Sequence, residues 1–401
     1  MKRQYLVTER AHYMCPNMHF GMLLEVEKIF EEKRVQDTLH RMAEAHPFLK
    51  ARIAKEEDSE QLYYKIFADS QIELSIREND ETLWDDYKAI SKQDWNVFEH
   101  GLLKVYIYPK EQGMKVLFVQ HHLLVDGKGA LGIAEEFAND YVSDIRPVYV
   151  EEQLLQQIEE LPKKSSLTGI SKFVVNKANA QWKKENHRVG YEVYRNFVKD
   201  YSITHPVSHK IYEVTHEQVA KMQKTCHENQ ITMNDLLMAH MYQETKTENI
   251  IIAADIRKLL PEYQKGSLGN YATAMGIVCK SKEEDTIQLA KKVHKLVQKH
   301  MAQNSKQMLV LACYFALNPT LLDAAAISAL GGFESGAGKF VGEGMFHMEK
   351  AKGYSITNLG KIENENIKSV MFIPPASPAA KLTLGVVTIN GEMKICSSEN
   401  V

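Results

Sequence analysis

The chain has 401 residues, with 49 Lys and Arg against 52 Asp and Glu, a formal net charge of −3 and 44% hydrophobic residues. This length can bury a sizeable core and suggests two domains or one large pseudo-twofold unit. A near-neutral charge argues against an extended nucleic-acid footprint, which needs a basic excess, and points to a small-molecule partner.

The first ten residues hold no apolar run of signal-peptide length, and the mature chain is expected to begin here. His12 and His19 lie near the first strand and could line a site, but single histidines are more often partly exposed or satisfied structural residues, and the latter reading is taken. Five cysteines, Cys15, Cys226, Cys279, Cys313 and Cys396, are scattered without CxxC spacing. Neither a disulfide framework nor a zinc site is expected, and a cytoplasmic location fits.

Residues 102–108 and 114–120 read as strands separated by a turn over 109–113. Directly after the second come His121, His122, Leu123, Leu124, Val125, Asp126 and Gly127. At this composition such a His-His-x-x-x-Asp-Gly run arises by accident in roughly two of a thousand sequences. Residues 129–141 carry apolar residues at helical spacing, so the motif occupies a strand-to-helix loop, a common home for catalysis.

A neutral imidazole titrates near physiological pH and can take a proton from an attacking hydroxyl or amine. Adjacent residues of a strand point to opposite sides, so one histidine faces a site and the other pins the strand. His122 is the better base and His121 the support. Asp126 either orients the imidazole or pairs with an arginine and backbone N–H groups; the structural role is favoured. Gly127 is read as giving the loop freedom to turn. A metal reading of His121, His122 and Asp126 lacks a third distant ligand marked by spacing, and no metal is expected.

Residues 151–176 shift composition after the helix, which places a crossover between lobes near Val175, with an N-terminal lobe over 1–175 and a C-terminal lobe over 176–401. Beyond it, 215–229 and 232–240 read as helices with threonine N-caps, 250–254 as a buried strand, and 285–301 as an amphipathic helix. Residues 308–330 are apolar, but Asn318 and Pro319 break the run and Asp323 charges it. Two packed helices are expected rather than a membrane span. The glycine-rich run 331–340 lacks phosphate-loop spacing and carries Phe340 where Ser or Thr would bind magnesium, so it reads as a mobile loop. The turn at Asn390 and Gly391 joins two strands into a hairpin.

The motif resembles the signature of the CoA-dependent acyltransferase superfamily, which includes chloramphenicol acetyltransferase, alcohol and polyketide-associated acyltransferases, and the condensation domains of nonribosomal peptide synthetases. Residues 20–26, 30–45 and 46–53 are similar to that family's opening strand, helix and strand. Residues 254–257 (Ala-Asp-Ile-Arg) and 267–271 (Ser-Leu-Gly-Asn-Tyr) resemble its arginine strand and glycine-asparagine turn, and 355–360 (Ser-Ile-Thr-Asn-Leu-Gly) its late Asn-Leu-Gly segment. The plant-type Asp-Phe-Gly-Trp-Gly segment is absent, and the corresponding region reads Gly-Gly-Phe-Glu-Ser-Gly from Gly331.

The resemblance implies an α+β fold of two chloramphenicol-acetyltransferase-like lobes, each a mixed β-sheet covered by helices, with an active-site tunnel between them and His122 at its middle. It pairs Arg257 with Asp126; the alternative is an exposed arginine beside Lys258. Asn270 and Asn358 are candidates to line the tunnel, against ordinary turn chemistry for Asn beside Gly. The implied activity is an acyl-CoA-dependent O- or N-acyltransferase with no permanently bound cofactor: acyl-CoA is a co-substrate, and a small alcohol or amine the acceptor. Two other readings stand beside it. One is a condensation-type enzyme whose donor is held by a carrier protein; the other is a non-catalytic interaction protein that keeps the fold.

Overall fold

A computed structural model of the chain describes residues 3–92, 95–280, 285–348 and 353–401. Its strands are β1 (His19–Val26), β2 (Ala51–Lys55), β3 (Leu62–Ile66), β4 (Glu73–Ile76), β5 (Leu103–Lys110), β6 (Gly113–His121), β7 (Val207–Val214), β8 (Asn249–Asp255), β9 (Ala272–Val278), β10 (Tyr354–Ile362), β11 (Ser369–Ile373), β12 (Leu382–Ile389) and β13 (Glu392–Asn400). A five-stranded sheet runs in the order β11-β1-β6-β5-β4, and a six-stranded sheet in the order β7-β13-β12-β10-β8-β9. Both are mixed. β4 and β5 are parallel in the first, and β10 is parallel to β8 and β12 in the second.

The apolar runs that read as strands become β5 and β6, whose residues alternate between two covered faces. Val116 and Phe118 point into one core with Phe137 and Met42 from the helices Gly127–Ser143 and Glu32–Ala45. Leu117 and Val119 point into another with Leu83, Tyr87 and Ile90 from the helix Leu83–Lys92. Burial on both faces accounts for the near-continuous hydrophobicity of these strands. The predicted turn tightens: pairing continues to Lys110 opposite Gly113, where Gly113 adopts φ +102°.

The second sheet is covered by the helices His216–Asn229, Met233–Thr245 and Thr286–Met301. The first two begin with capping boxes, Thr215 with Gln218 and Thr232 with Asp235, as the threonines suggested. In β8, Ile250, Ile252 and Ala254 are buried against these helices, while Ile251 and Ala253 face a cavity between the lobes. The strand read as wholly buried is therefore one-sided in its packing. Asn390 and Gly391 take positive φ and turn β12 into β13 as expected.

Three expectations are revised. The chain does not divide at Val175, which is buried inside the continuous helix Gly169–Glu185 against the first lobe's core. The lobes are also interleaved: β11, from the second half, completes the first sheet beside β1. Non-local strand pairing leaves no local compositional mark, which is why sequence alone missed it. Residues 336–344 form a helix rather than a mobile loop, capped by Ser335 at the Gly338 N–H. Its glycines serve close packing. A Cβ on Gly342 would lie 2.1 Å from the Ala325 carbonyl oxygen.

The apolar run 308–330 forms two helices, Leu309–Ala316 and Pro319–Ala329, bent by 113°, and no single helix among the described residues is long and apolar enough to cross a membrane. Residues 320–329 are buried in the protein interior.

Candidate active site

The site is built around the loop between β6 and the helix Gly127–Ser143. Asp126 is the helix N-cap, its Oδ1 accepting the Gly129 N–H at 2.9 Å. The same oxygen accepts from Arg257 Nη2 at 2.8 Å, and Oδ2 accepts the Tyr271 N–H at 2.8 Å. Arg257 also bonds Asp255 and lies over the rings of Tyr271 and Tyr263. Burial opposes its charge, but Asp126 outweighs this and raises its pKa above the ordinary range. Asp126 is thus a buried bracket between the motif loop and the second lobe, while His122 is held by other groups.

Asn270 holds the histidine. Its Nδ2 donates to the His122 carbonyl oxygen at 2.8 Å, which turns its Oδ1 towards His122 Nδ1, also at 2.8 Å. An amide oxygen only accepts, so Nδ1 carries the proton and Nε2 keeps its lone pair. The backbone repeats the clamp: the Asp126 N–H donates to the Gly269 carbonyl and the His122 N–H to the Met18 carbonyl. Gly269, at φ +148°, has no room for a side chain, since a Cβ would meet Leu154 Cδ2 at 2.6 Å.

The paired histidines separate as strand alternation requires. His121 is buried, its Nδ1 accepting the Leu123 N–H and its ring edge-on to Trp95. Burial pushes its pKa down to about 3. It borders a cavity of about 60 Å³ shared with His19 and Trp95. His122 faces a different cavity of about 160 Å³ between the lobes, bounded by Ile251 and Ala253 of β8, Ala272 and Ala274 of β9, and Ser355 of β10. Ligand pockets run from roughly 300 Å³, so this space is smaller than one that encloses a whole drug-sized ligand. Burial lowers the His122 pKa below the ordinary 6.5, against smaller opposing effects from its own backbone, Asp126 and Asn270. The ring is neutral at pH 7, the form a base needs.

The sequence candidates therefore sort clearly. His122, Asp126, Arg257 and Asn270 converge, and the Asp126–Arg257 pair replaces the exposed-arginine alternative. Asn358 does not join them: its Oδ1 accepts the Gly360 N–H in a local turn, and Ser355 of the same strand reaches the cavity instead. Gly127 does not supply turn freedom, because it is the first residue of the helix. Its constraint is steric, with a Cβ lying 2.8 Å from Leu359 Cδ2 and 3.3 Å from Phe372 Cζ.

Sequence reasoning set aside one residue of the site. His12, from the short turn Glu9–His12, stacks on His122 with ring centroids 4.3 Å apart and planes at 16°, and it lines the same cavity. Phe20 packs edge-on against His122. A lone histidine far upstream of the motif carries no spacing signal that would reveal this contact.

No protein-family model matches the chain. A 129-residue stretch, 30% of this chain and 4% of the relative, is 27% identical to surfactin synthase subunit 2 of Bacillus subtilis (strain 168). The chain therefore spans only a small part of that relative. Among solved structures, the epimerization domain from the third module of tyrocidine synthetase B matches with a TM-score of 0.60 and 14% identity, over 96% of this chain and 86% of that one. Polyketide synthase associated protein 5 from Mycobacterium tuberculosis matches with a TM-score of 0.59 and 11% identity, over 100% and 92%. The first condensation domain of the calcium-dependent antibiotic synthetase matches with a TM-score of 0.59 and 9% identity, over 100% and 91%. The chain has the two-lobed, chloramphenicol-acetyltransferase-like fold of these domains.

Proposed function

We propose that this protein is an acyltransferase that moves an acyl group from a CoA thioester to a hydroxyl or amine, with His122 as general base. The observation that carries this reading is the Asn270 clamp, which gives His122 a fixed Nδ1–H tautomer and an unprotonated Nε2 in a cavity between the lobes. Nε2 takes the acceptor's proton as its oxygen or nitrogen attacks the thioester carbonyl carbon. The new C–O or C–N bond forms through a tetrahedral oxyanion, the C–S bond breaks, and the proton passes from the imidazolium to the departing thiolate. Asp126 and Arg257 hold the loop and stay outside the proton transfer.

The test is free-thiol release from acetyl-CoA and longer acyl-CoAs with a panel of alcohols and amines, products being identified by mass. His122→Ala is expected to lose about 10²- to 10⁴-fold in turnover while remaining folded. Normal turnover by this variant would sink the mechanism.

A second reading keeps the chemistry but draws the acyl group from a carrier-protein thioester. The likeness to synthetase domains and the stretch shared with surfactin synthase subunit 2 favour it. Turnover with an acyl-loaded carrier protein but with no acyl-CoA would select it. Failure with both donors would leave a non-catalytic role.

A further inference from the structure

The cavity that holds His122 is lined by apolar and uncharged polar side chains, with one exception. Among its described lining residues Asp126 is the one carboxylate, and both its oxygens are engaged by Arg257 and by the Gly129 and Tyr271 N–H groups. Asn270 is committed to His122. The hydroxyls of Thr8 and Thr273 donate to Glu9 and to the Gln307 carbonyl. The Tyr314 and Ser355 hydroxyls have no partner among the described residues, but of these uncommitted lining groups it is His12 that stacks on His122. Its ring forms no hydrogen bond with any described residue, yet it lies flat against the base and borders the cavity.

Two physical consequences follow. An alkylammonium loses its hydration on entering and finds no free carboxylate to replace it, a heavy penalty for an unpaired buried cation. A hydroxyl enters without charge; with its proton directed at His122 Nε2, its oxygen needs one donor, and the N–H of a neutral imidazole supplies it. Burial, with His122 and His121 nearby, holds His12 well below the ordinary imidazole pKa and so keeps it neutral.

We infer that the acceptor is an uncharged alcohol and that His12 is a substrate-binding residue, its free ring N–H donating to the alcohol oxygen beside His122. This rests on the acyltransferase reading above and narrows it. Stacking keeps the two rings side by side, so a group held by His12 is held next to the base.

The experiment compares alcohols and primary amines of matched carbon skeleton at pH 7.5, with wild type, His12→Phe, His12→Gln and His122→Ala. Wild type is expected to form ester at least about tenfold faster than amide. His12→Phe keeps a stacked ring but no nitrogen, and should raise the alcohol KM about tenfold, the loss of one neutral hydrogen bond, with the thioester KM unchanged. His12→Gln should recover part of that loss. An unchanged alcohol KM in His12→Phe, or amide formation equal to ester formation, overturns the inference while leaving His122 as the base. Thiol release undiminished in His122→Ala, or absent from wild type with every donor, overturns the parent reading and this inference with it.

Discussion

At the scale of single residues, the hydrogen bond between Asn270 and His122 Nδ1 decides which ring nitrogen of His122 carries the proton. In the proposed mechanism His122 acts unprotonated, and burial lowers its pKa, so kcat/KM should rise with pH through a limb below 6.5 and stay flat at higher pH. Asn270→Asp would put a carboxylate on Nδ1 and favour the imidazolium. The limb should then move to higher pH, so that the variant loses more activity at pH 6 than at pH 8. A pH profile of kcat/KM checks this, and an unmoved limb would deny the contact its role. The motif residues were legible because several candidate site residues sit within seven positions. Asn270 and His12 were not legible in role, since each meets His122 only through folding.

At the scale of elements, the helix Gly127–Ser143 shows how one glycine can be identified correctly and explained wrongly. Beside Asp126 it resembles a turn glycine, but the turn precedes it and the helix begins with it. A Cβ at this position would crowd Leu359 of β10 and Phe372 of β11. Gly127→Ala should therefore destabilise the protein by about 1–3 kcal/mol through overpacking, although alanine is the better helix former. Denaturant unfolding measures this, and a stabilised variant would show that the neighbours yield. The run 331–340 teaches the same lesson: glycine density marked a close helix contact, and sequence gave no means of separating that from a loop.

At the scale of the molecule, the two halves of the chain are interwoven. β11 fills the edge of the first sheet. Arg10, near the N-terminus, donates to both oxygens of Asp323 on the helix Pro319–Ala329, with both side chains under a tenth exposed. Breaking such a pair leaves a buried charge uncompensated, so Asp323→Leu should cost about 3–5 kcal/mol. Arg10→Met with Asp323→Leu should recover much of that, and equilibrium unfolding of the single and double variants provides the check. No additional loss in the single variant relative to the double would mean that the pair is immaterial.

The sequence by itself determined the elements whose causes are local: the apolar strands β5 and β6, the threonine-capped helices, the Asn390–Gly391 hairpin and the motif loop that follows β6. Its likeness to a known signature also anticipated the two-lobed fold and the pairing of Asp126 with Arg257. The tertiary structure alone decided what shares a cavity with His122, which asparagine clamps it, where β11 inserts and why Gly127 is glycine. The physical reason is common to all four. Periodicity and capping act within a few residues along the chain, whereas these contacts join segments about 100 or more residues apart, whose meeting is set by the packing of whole sheets and helices.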